Sequence, residues 1–584
     1  MNNGLFGESG IQITLLLILL PIIVALIIGV VKLYNSYLNL KRRKELSDFT
    51  KNLGNLTPDE LENFKKRQDE LDYKLPGNIL SGDLPVSDKT GIISNINTIE
   101  NIRVIPEKQS FQSQQYVSKH LSKLIIYFIG SAVAWLIIAT SVGEYLGIKF
   151  VAPDVDHQSW LSFGRLRPVH TNMVFWGWAS TAMVGLAYYV IPRVSNVRIF
   201  SLKIGYYSLW FMNSAVALGS ISLMAGINNS GGEYREYIWP VMLLFAVGIA
   251  LSLYNFLKTI ASRTTHEIYV SNWYIVSAMM YVIVISLTGY LPFWQNGLGE
   301  TITQGYYMHQ GVGMWFMFLV LGLMYYFLPQ QLNKPIYSYS LGILAFWTQI
   351  LFYTALGSHH FIFSAIPWWL QTVAIVCSVG MIIPVVSGTT NFLLTFNGAW
   401  YKLRTSYTLP FYLIGIIFYF TGSMQGTVEA FRFTNLIWHF TDFTVAHSHL
   451  TMYGIITFML WGFIYTLVPR LTGREPKKVW VGIHFWLALV GLMFYTVSLM
   501  IGATEKGMLW MAGKPFVEGL TLMAPFWLWR AIGGTMMWIS HLVFAYNFYT
   551  MINRKPRILI PKSPAEILNA KKMMTNQEFN TTKN

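Results

Sequence analysis

The sequence predicts an all-α polytopic membrane protein, with a core of about twelve transmembrane helices and one extra transmembrane helix at the N-terminus. First, 53% of its 584 residues are hydrophobic and 12% are charged, about half the charged fraction of an average soluble protein. Second, apolar stretches long enough to cross a bilayer recur along the chain. Third, loops rich in Lys and Arg alternate with loops poor in them, as expected for the two sides of a membrane.

The segment before the core is predicted to be an anchor followed by a linker. Residues 11–33 are apolar and no basic region precedes them, so residues 1–40 are expected to be a retained N-terminal transmembrane anchor. Basic residues at 41–44 place the N-terminus outside and the cytoplasmic linker 41–122 inside. The Thr-Pro-Asp-Glu run at 57–60 predicts the start of a short charged helix in this linker. The alternative for the linker is a docking segment for another subunit.

The core is predicted to span residues 123–552, and residues 553–584 form a cytoplasmic C-terminal tail. No internal repeat is visible in the sequence of the core. Its apolar segments lie near residues 124–142, 169–191, 204–225, 238–258, 271–292, 305–328, 338–357, 367–389, 408–424, 441–468, 479–501 and 526–550.

The net charge and the cysteine content limit the kinds of partner and cofactor that the chain is expected to bind. The net charge of +15 comes mostly from basic residues that flank apolar runs, so it indicates membrane topology and no nucleic-acid partner. The single cysteine, Cys377, excludes a disulfide framework, and the chain contains no Cys-x-x-Cys-His motif for attaching c-type haem.

Two histidines in one apolar segment are the first chemical signal. His447 and His449 are two residues apart, so on a helix their side chains point roughly 200° apart. They cannot share one metal, but they can bind two groups on opposite sides of the helix. Taken alone, each could instead be a buried histidine bonded to the backbone or to water. Within a bilayer, however, ionisable side chains are costly and are functional by default.

Six of the twelve histidines fall at a similar depth near the outer ends of the predicted spans. Geometry allows three ligand sets. Two histidines can bind the two axial positions of one haem iron, and one can bind a second haem that keeps a free axial position. The remaining three can bind copper or another borderline metal next to that free position. His439, His484 and His541 have no such partners and are expected to be structural. The six are His170, His309, His359, His360, His447 and His449.

An ordered set of motifs accompanies these histidines, and together they resemble a known family. The motifs are GRLRPVHTN (164–172), EYREYIWP (233–240), MHQGVGMW (308–315), GSHH (357–360), HFTDFTVAHSH (439–449) and WRAIGG (529–534). Over residues 120–550 the chain resembles the catalytic subunit of the haem-copper oxygen reductases, and specifically of cbb3-type cytochrome c oxidases. The His-Pro-Glu-Val-Tyr motif of the aa3 branch is absent, which argues against that branch.

The resemblance implies a role for each residue that matches the family motifs. His170 and His449 would bind a low-spin haem b, and His447 would bind the high-spin haem b3. Copper (CuB) would be bound by His309, His359 and His360. Tyr353 matches the catalytic tyrosine that is cross-linked to the copper ligand His309. The remaining matches would contact haem propionates or a calcium ion beside them: Arg165, Arg167 and Arg530 for propionates, Glu233 and Glu236 for calcium, with Asp442 close to the same edge.

The resemblance also implies an activity: reduction of O2 to water, with proton uptake or translocation from the cytoplasm. The electrons would come from membrane-bound haem c subunits and cytochrome c, in a bacterial inner membrane. The chain departs from the family at Ser358, where a Pro is usual, and at Gln425, where a Glu is usual. Gly342 and Ala345 replace polar residues of the usual proton path, so the sequence does not identify the proton route.

The sequence leaves two alternative functions open. A nitric oxide reductase uses the same six histidines with non-haem iron in place of copper, typically adds a glutamate beside the metal-binding histidine, and lacks the tyrosine. The stretch 310–316 contains no acid and Tyr353 is present, which favours the oxidase. A transporter or a haem-bearing assembly protein is the alternative from another class. A transporter would show discontinuous helices with polar residues near the midplane.

Overall fold

A computed structural model describes residues 117–553 except 230, 266, 294 and 295, together with Tyr34, Asp59 and Glu62. The predicted N-terminal anchor, most of the linker and the C-terminal tail lie outside the described residues, so these assignments stay predictions. The described core is helical throughout, without strands, as the fold class predicts.

Each of the predicted core segments coincides with a helix in the described part of the chain. By length and composition, nine of the described helices are long and apolar enough to cross a membrane. The three remaining predicted segments also coincide with helices, named α3, α7 and α12 below. The helices are α1 (Lys119–Val151), α2 (Phe163–Ser195), α3 (Leu202–Met224), α4 (Trp239–Ala261), α5 (Val270–Tyr290), α6 (Leu298–Leu332), α7 (Tyr339–Tyr353), α8 (Trp368–Thr395), α9 (Leu409–Glu429), α10 (Phe443–Thr472), α11 (Lys478–Met511) and α12 (Phe516–Asn553).

Three of these helices form the centre of the bundle. The most apolar windows of α2, α6 and α10 are 94%, 94% and 89% buried, whereas those of the other spans are between 33% and 56% buried. A helix that is apolar all round must be surrounded by protein or lipid on every side. The remaining helices therefore lie around α2, α6 and α10 and present their outer faces to lipid.

The three central helices share a pattern that the sequence analysis missed. Each contains a π-helical segment, at Met173–Ala179, Gly311–Met317 and Leu450–Thr457. Each segment begins within three residues after one of the six histidines. Each helix then has a proline four residues before a left-handed residue that ends it: Pro192 and Asn196, Pro329 and Asn333, Pro469 and Gly473. The core thus contains a structural repeat, and the prediction that the core has no internal repeat missed the shared spacing of these prolines.

A second repeated feature fixes the starts of α3 and α7. The Asn255 side chain on α4 accepts from the Ser201 backbone N–H at 2.9 Å and donates to the Ser201 carbonyl at 2.7 Å. Asn391 on α8 makes the same pair of bonds with Ser338, at 2.9 and 2.8 Å. Each serine is the N-cap of its helix. These bonds satisfy backbone groups that would otherwise be buried without partners.

Candidate functional site

All six histidines line a single cavity of about 670 Å³ at one end of the bundle. The cavity lies on both sides of α10, because His447 and His449 point to different sides of that helix. It is also lined by Tyr353, Arg167, Arg530, Glu233 and Asp442. The sequence placed these residues on seven separate segments, and the fold brings them together.

On the first side of α10, His449 faces His170 of α2. Their rings are nearly parallel, at 14°, with centroids 6.4 Å apart. Two metal–nitrogen bonds of about 2 Å, with a ring radius at each end, separate two axial imidazoles by roughly this distance. The pair therefore fits a haem iron bound between two histidines.

The hydrogen bonds of this pair set which ring nitrogen is free. His170 Nδ1 lies 2.8 Å from the Ala139 carbonyl, and His449 Nδ1 lies 2.8 Å from the Val445 carbonyl. Since a carbonyl only accepts, each Nδ1 carries the proton and each Nε2 keeps its lone pair for a metal. Gly143 makes the approach of His170 possible, because a Cβ there would lie 2.4 Å from His170 Cε1.

On the other side of α10, His447 is oriented by a side chain rather than by the backbone. Its Nδ1 lies 2.9 Å from Gln425 Oε1 on α9. The carboxylate of Glu429, one turn further along α9, lies 4.0 Å from the same nitrogen. The amide is therefore within hydrogen-bond distance and the carboxylate is not. His447 is left with Nε2 as its free ligand atom.

A cluster of three histidines lies in the same cavity. His309, His359 and His360 have ligand atoms within 4.8 Å of one another, and this is the one group among the described residues with three or more such ligands. The His360 Nε2 is buried and finds no hydrogen-bond partner in the described part of the chain. His359 Nδ1 lies 2.6 Å from Ser378 Oγ, whose own proton goes to the Ala374 carbonyl at 2.8 Å.

This cluster has the chemistry of a metal site. Because the Ser378 oxygen accepts, His359 Nδ1 carries the proton and its Nε2 is available to a metal. Three imidazoles with room for a further ligand suit copper, zinc or iron. Ser378, like the hydrogen bond from His447 to Gln425, was not found from the sequence, because it lies on a different helix from the histidine that it contacts.

Tyr353 lies beside the three-histidine cluster at the end of α7. Its Oη is 3.3 Å from His309 Nδ1, and the two rings are 4.7 Å apart between centroids. Gly313 is required here, because a Cβ at this position would lie 1.7 Å from Tyr353 Cζ. The Gln310 side chain holds the end of α7 by donating to the Tyr353 carbonyl at 2.6 Å.

The three arginines predicted to contact propionates are placed differently. Arg530 is 9% exposed, lies over the Phe150 ring and donates to Tyr495 Oη at 3.1 Å. Tyr495 in turn packs against His449, with centroids 4.4 Å apart. Arg167 lines the cavity and pairs with Glu233 at 2.7 Å. Arg165 is not among the described residues that line the cavity.

The predicted acidic pair already has protein partners. Glu233 pairs with Arg167, and Glu236 accepts a hydrogen bond from Asn172 at 2.9 Å. Burial raises the pKa of Glu236 to about 7, although the Asn172 amide acts to lower it. The Arg165 side chain donates a hydrogen bond to the Met224 carbonyl at 3.1 Å.

Comparison with known proteins gives consistent matches over this core. Residues 123–536 match the family described as Cytochrome C and Quinol oxidase polypeptide I. The chain is 31% identical over 449 residues to the Cbb3-type cytochrome c oxidase subunit CcoN1 of Stutzerimonas stutzeri, covering 74% of this chain and 94% of that protein. It is also 31% identical over 450 residues to Cytochrome c oxidase subunit 1 of Rhodobacter capsulatus, covering 72% of this chain and 84% of that one.

A solved structure supports the fold. The structure of a heme-copper terminal oxidase dimer matches with a TM-score of 0.63 at 14% sequence identity, covering 78% of this chain and 90% of that one. At this identity the match concerns the arrangement of helices alone.

Proposed function

Because the chain belongs to the cytochrome c and quinol oxidase polypeptide I family, we propose that it is the catalytic subunit of a cbb3-type terminal oxidase. In this proposal it reduces O2 to water at a haem b3–copper centre, with electrons from haem c subunits and cytochrome c. The family and the apolar helices make it a multi-pass membrane enzyme of the cytochrome c oxidase class.

The observation that carries the proposal is the three-histidine cluster with a phenol beside it. The ligand atoms of His309, His359 and His360 lie within 4.8 Å of one another, and Tyr353 Oη is 3.3 Å from His309. Among the described residues this ligand group contains no carboxylate. The nearby acid Glu429 lies against His447 instead. A three-nitrogen site with a neighbouring tyrosine favours copper and oxygen over the iron-based nitric oxide reductase.

The residues that would hold the groups follow from their free nitrogens. His170 and His449 would hold the low-spin haem b, and His447 the high-spin haem b3. His309, His359 and His360 would hold copper. When bound, the haem iron and the copper would supply the binding and the reduction of oxygen.

Tyr353 is assigned the proton-donating role. Its side chain is 9% exposed, so its proton is shielded from bulk water. The phenol lies 3.3 Å from His309 Nδ1 and lines the same cavity, where substrate oxygen would bind. In this proposal Tyr353 provides the proton, and an electron, at the point where the oxygen–oxygen bond breaks. Its covalent cross-link to His309 is part of the same proposal.

Electrons must reach the site from outside this chain, which has no Cys-x-x-Cys-His motif. The cationic Arg167 and Arg530 are proposed to bind haem propionates, since guanidinium groups match carboxylates in geometry and charge. Arg165 is a weaker candidate because its side chain contacts Met224. A calcium ion is proposed at Glu233 and Glu236, where each acid keeps one oxygen that the protein does not use in the bonds above.

The proposed setting is a bacterial inner membrane, with the N-terminus outside and the C-terminus in the cytoplasm. Protons for water formation would enter from the cytoplasmic side. On α7, Gly342 and Ala345 stand where the family has polar side chains, and Gly342 faces Tyr325, whose Oη would be 3.4 Å from a Cβ there. A Cβ at Gly342 would be crowded against the Tyr325 ring, so the glycine lets α7 pack closely against α6 at this point.

Turnover of the purified complex with O2 and with nitric oxide tests this proposal. Reduced cytochrome c should be oxidised in the presence of O2, with cyanide-sensitive kinetics and uptake of protons. Turnover with nitric oxide at a comparable or higher rate, and none with O2, would overturn it in favour of the reductase.

A further inference from the structure

Glu144 of α1 is an acidic side chain in the wall of the cavity, and it belongs to none of the sequence motifs above. It is half-buried, and it lies within an apolar helix that is long enough to cross a membrane. Because a carboxylate within a membrane span is costly and is functional by default, the surroundings of Glu144 should show what it does.

Glu144 lies on the His170 side of the cavity. The Ala139 carbonyl of α1 is 2.8 Å from His170 Nδ1, and a Cβ at Gly143 would lie 2.4 Å from His170 Cε1. Since consecutive Cα atoms are about 3.8 Å apart, the Glu144 Cα lies within about 8 Å of the His170 ring. The carboxylate therefore belongs to the side of α10 where His170 and His449 would hold a haem.

Two side-chain hydrogen bonds join α1 to α12 beside Glu144. Trp538 Nε1 donates to Ser141 Oγ at 3.0 Å, and Thr535 Oγ1 donates to Glu144 Oε1 at 2.5 Å. The Thr535 hydroxyl also lies 2.9 Å from the Ala531 carbonyl, but its single proton goes to the shorter contact. An O–H···O distance of roughly 2.5–2.7 Å is typical of an ionised acceptor. The bond therefore favours a Glu144 side chain that is charged and fixed in direction.

The second carboxylate oxygen faces a glycine of α12. A Cβ at Gly534 would lie 3.0 Å from Glu144 Oε2, and because glycine has no side chain, this oxygen is not covered from the α12 side. Gly534 and Arg530, one turn apart on α12, line the cavity together with Glu144. The wall beside His170 thus presents one negative and one positive side chain, which should have opposite effects on a haem bound there.

We propose that the charge of Glu144 lowers the midpoint potential of the low-spin haem relative to that of the high-spin haem. A ferric haem carries one more positive charge than a ferrous haem, so a nearby carboxylate stabilises the oxidised form. This effect is only weakly screened inside a membrane protein. A lower potential makes the low-spin haem the better electron donor to the high-spin haem. The inference rests on the haem positions of the proposed function, but not on whether the substrate is O2 or nitric oxide.

Redox titration of the purified complex, followed by the absorption bands of the two b-type haems, tests this inference. Glu144→Gln keeps the shape of the side chain and its bond from Thr535, and removes the charge. The midpoint potential of the low-spin haem should rise, and that of the high-spin haem should rise by less. Glu505→Gln is the matched control: this half-buried acid of α11 is not among the described residues that line the cavity, and both potentials should stay unchanged.

A second variant separates the charge of Glu144 from its shape. Glu144→Asp shortens the side chain and keeps the carboxylate, so the low-spin potential should stay closer to wild type than in Glu144→Gln. Equal rises in the two variants would overturn the inference, because they would follow from altered packing. A low-spin potential in Glu144→Gln equal to that of the Glu505→Gln control would also overturn it, because the carboxylate would then have no effect on the haem.

The titration distinguishes this inference from the proposed oxidase function. The potentials are measured at equilibrium and without O2, so a complex that reduces nitric oxide instead of O2 gives the same answer for Glu144. A wild-type complex without a low-spin haem would overturn the haem assignment and this inference together.

Discussion

The two sides of α10 hold their histidines by different means. On one side, His449 and His170 donate from Nδ1 to the backbone carbonyls of Val445 and Ala139. These acceptors are part of helix backbones and cannot move independently of the fold. The two rings are held nearly parallel, at 14°, and together they would hold a haem iron without leaving a position for substrate. This arrangement suits a haem that receives and passes electrons without binding a substrate.

On the other side, His447 donates to a side chain, Gln425 of α9. A side-chain acceptor can be changed by a single substitution, and an acid, Glu429, lies one turn away. The same cavity also contains His309, His359, His360 and Tyr353, which would lie near a haem held by His447. The comparison teaches that backbone carbonyls orient the histidines on one side of α10, whereas a side chain orients the histidine on the other. In the proposed function the first side would transfer electrons and the second would carry out the chemistry.

The largest expected effects come from removing one histidine on each side of α10. His447→Ala should lose the high-spin haem and keep the low-spin spectrum, and His449→Ala should lose the low-spin haem. Both should abolish O2 reduction. Haem content and reduced-minus-oxidised absorption spectra measure this. His120→Ala, at an exposed position at the start of α1, is the control. If His447→Ala leaves all haem spectra unchanged, the assignment of the two sides is wrong.

The next effect is expected at Tyr353. Tyr353→Phe removes only the phenol oxygen, so both haems and the copper should bind as before. Turnover should fall on the order of 10²-fold or more, the usual cost of losing a positioned proton donor. Tyr419→Phe, which removes a hydroxyl elsewhere in the same cavity, should have a small effect. Equal rates for wild type and Tyr353→Phe would remove the tyrosine from the chemistry.

A smaller effect is expected from the serine that orients His359. Ser378→Ala leaves His359 Nδ1 without its acceptor, so the affinity for copper should fall by roughly 10- to 100-fold while haem content is unchanged. Competition with a copper chelator measures this. Ser387→Ala, further along α8, should not change the affinity. A loss of haem together with copper would mean that Ser378 supports the whole cavity rather than His359.

The smallest effect concerns Gln425. A carboxylate accepts more strongly than an amide and makes the imidazole a stronger ligand. Gln425→Glu should therefore raise the iron–histidine stretching frequency of the reduced high-spin haem, and Gln425→Leu should lower it. Resonance Raman spectroscopy measures both. Glu429→Gln is the control: if it shifts the band as far as Gln425→Leu does, the acid rather than the amide is the acceptor.

The sequence predicted the helices and the histidine set for a clear physical reason. Apolar spans are long and uniform, and an ionisable residue within one of them is conspicuous. The spacing of His447 and His449 also predicted their division between two sides of α10, since that division depends only on helix geometry.

The features that the sequence did not predict depend on the three-dimensional path of the backbone. The π-helical segments of α2, α6 and α10 change hydrogen-bond register without a distinctive composition. Ser378 lies 19 residues from His359 along the chain and on another helix, so spacing gives no signal of their contact. For Arg165 the position was suggested by a motif, but the direction of its side chain is set by the Met224 carbonyl.

The central claim is that the chain binds one haem on each side of α10 and one copper ion at the three-histidine cluster. The metal content of the purified complex tests this claim most directly. Metal analysis combined with a haem assay should give one copper for every two b-type haems per copy of this chain, after c-type haem of partner subunits is subtracted. One non-haem iron and no copper for the same two haems would contradict the account.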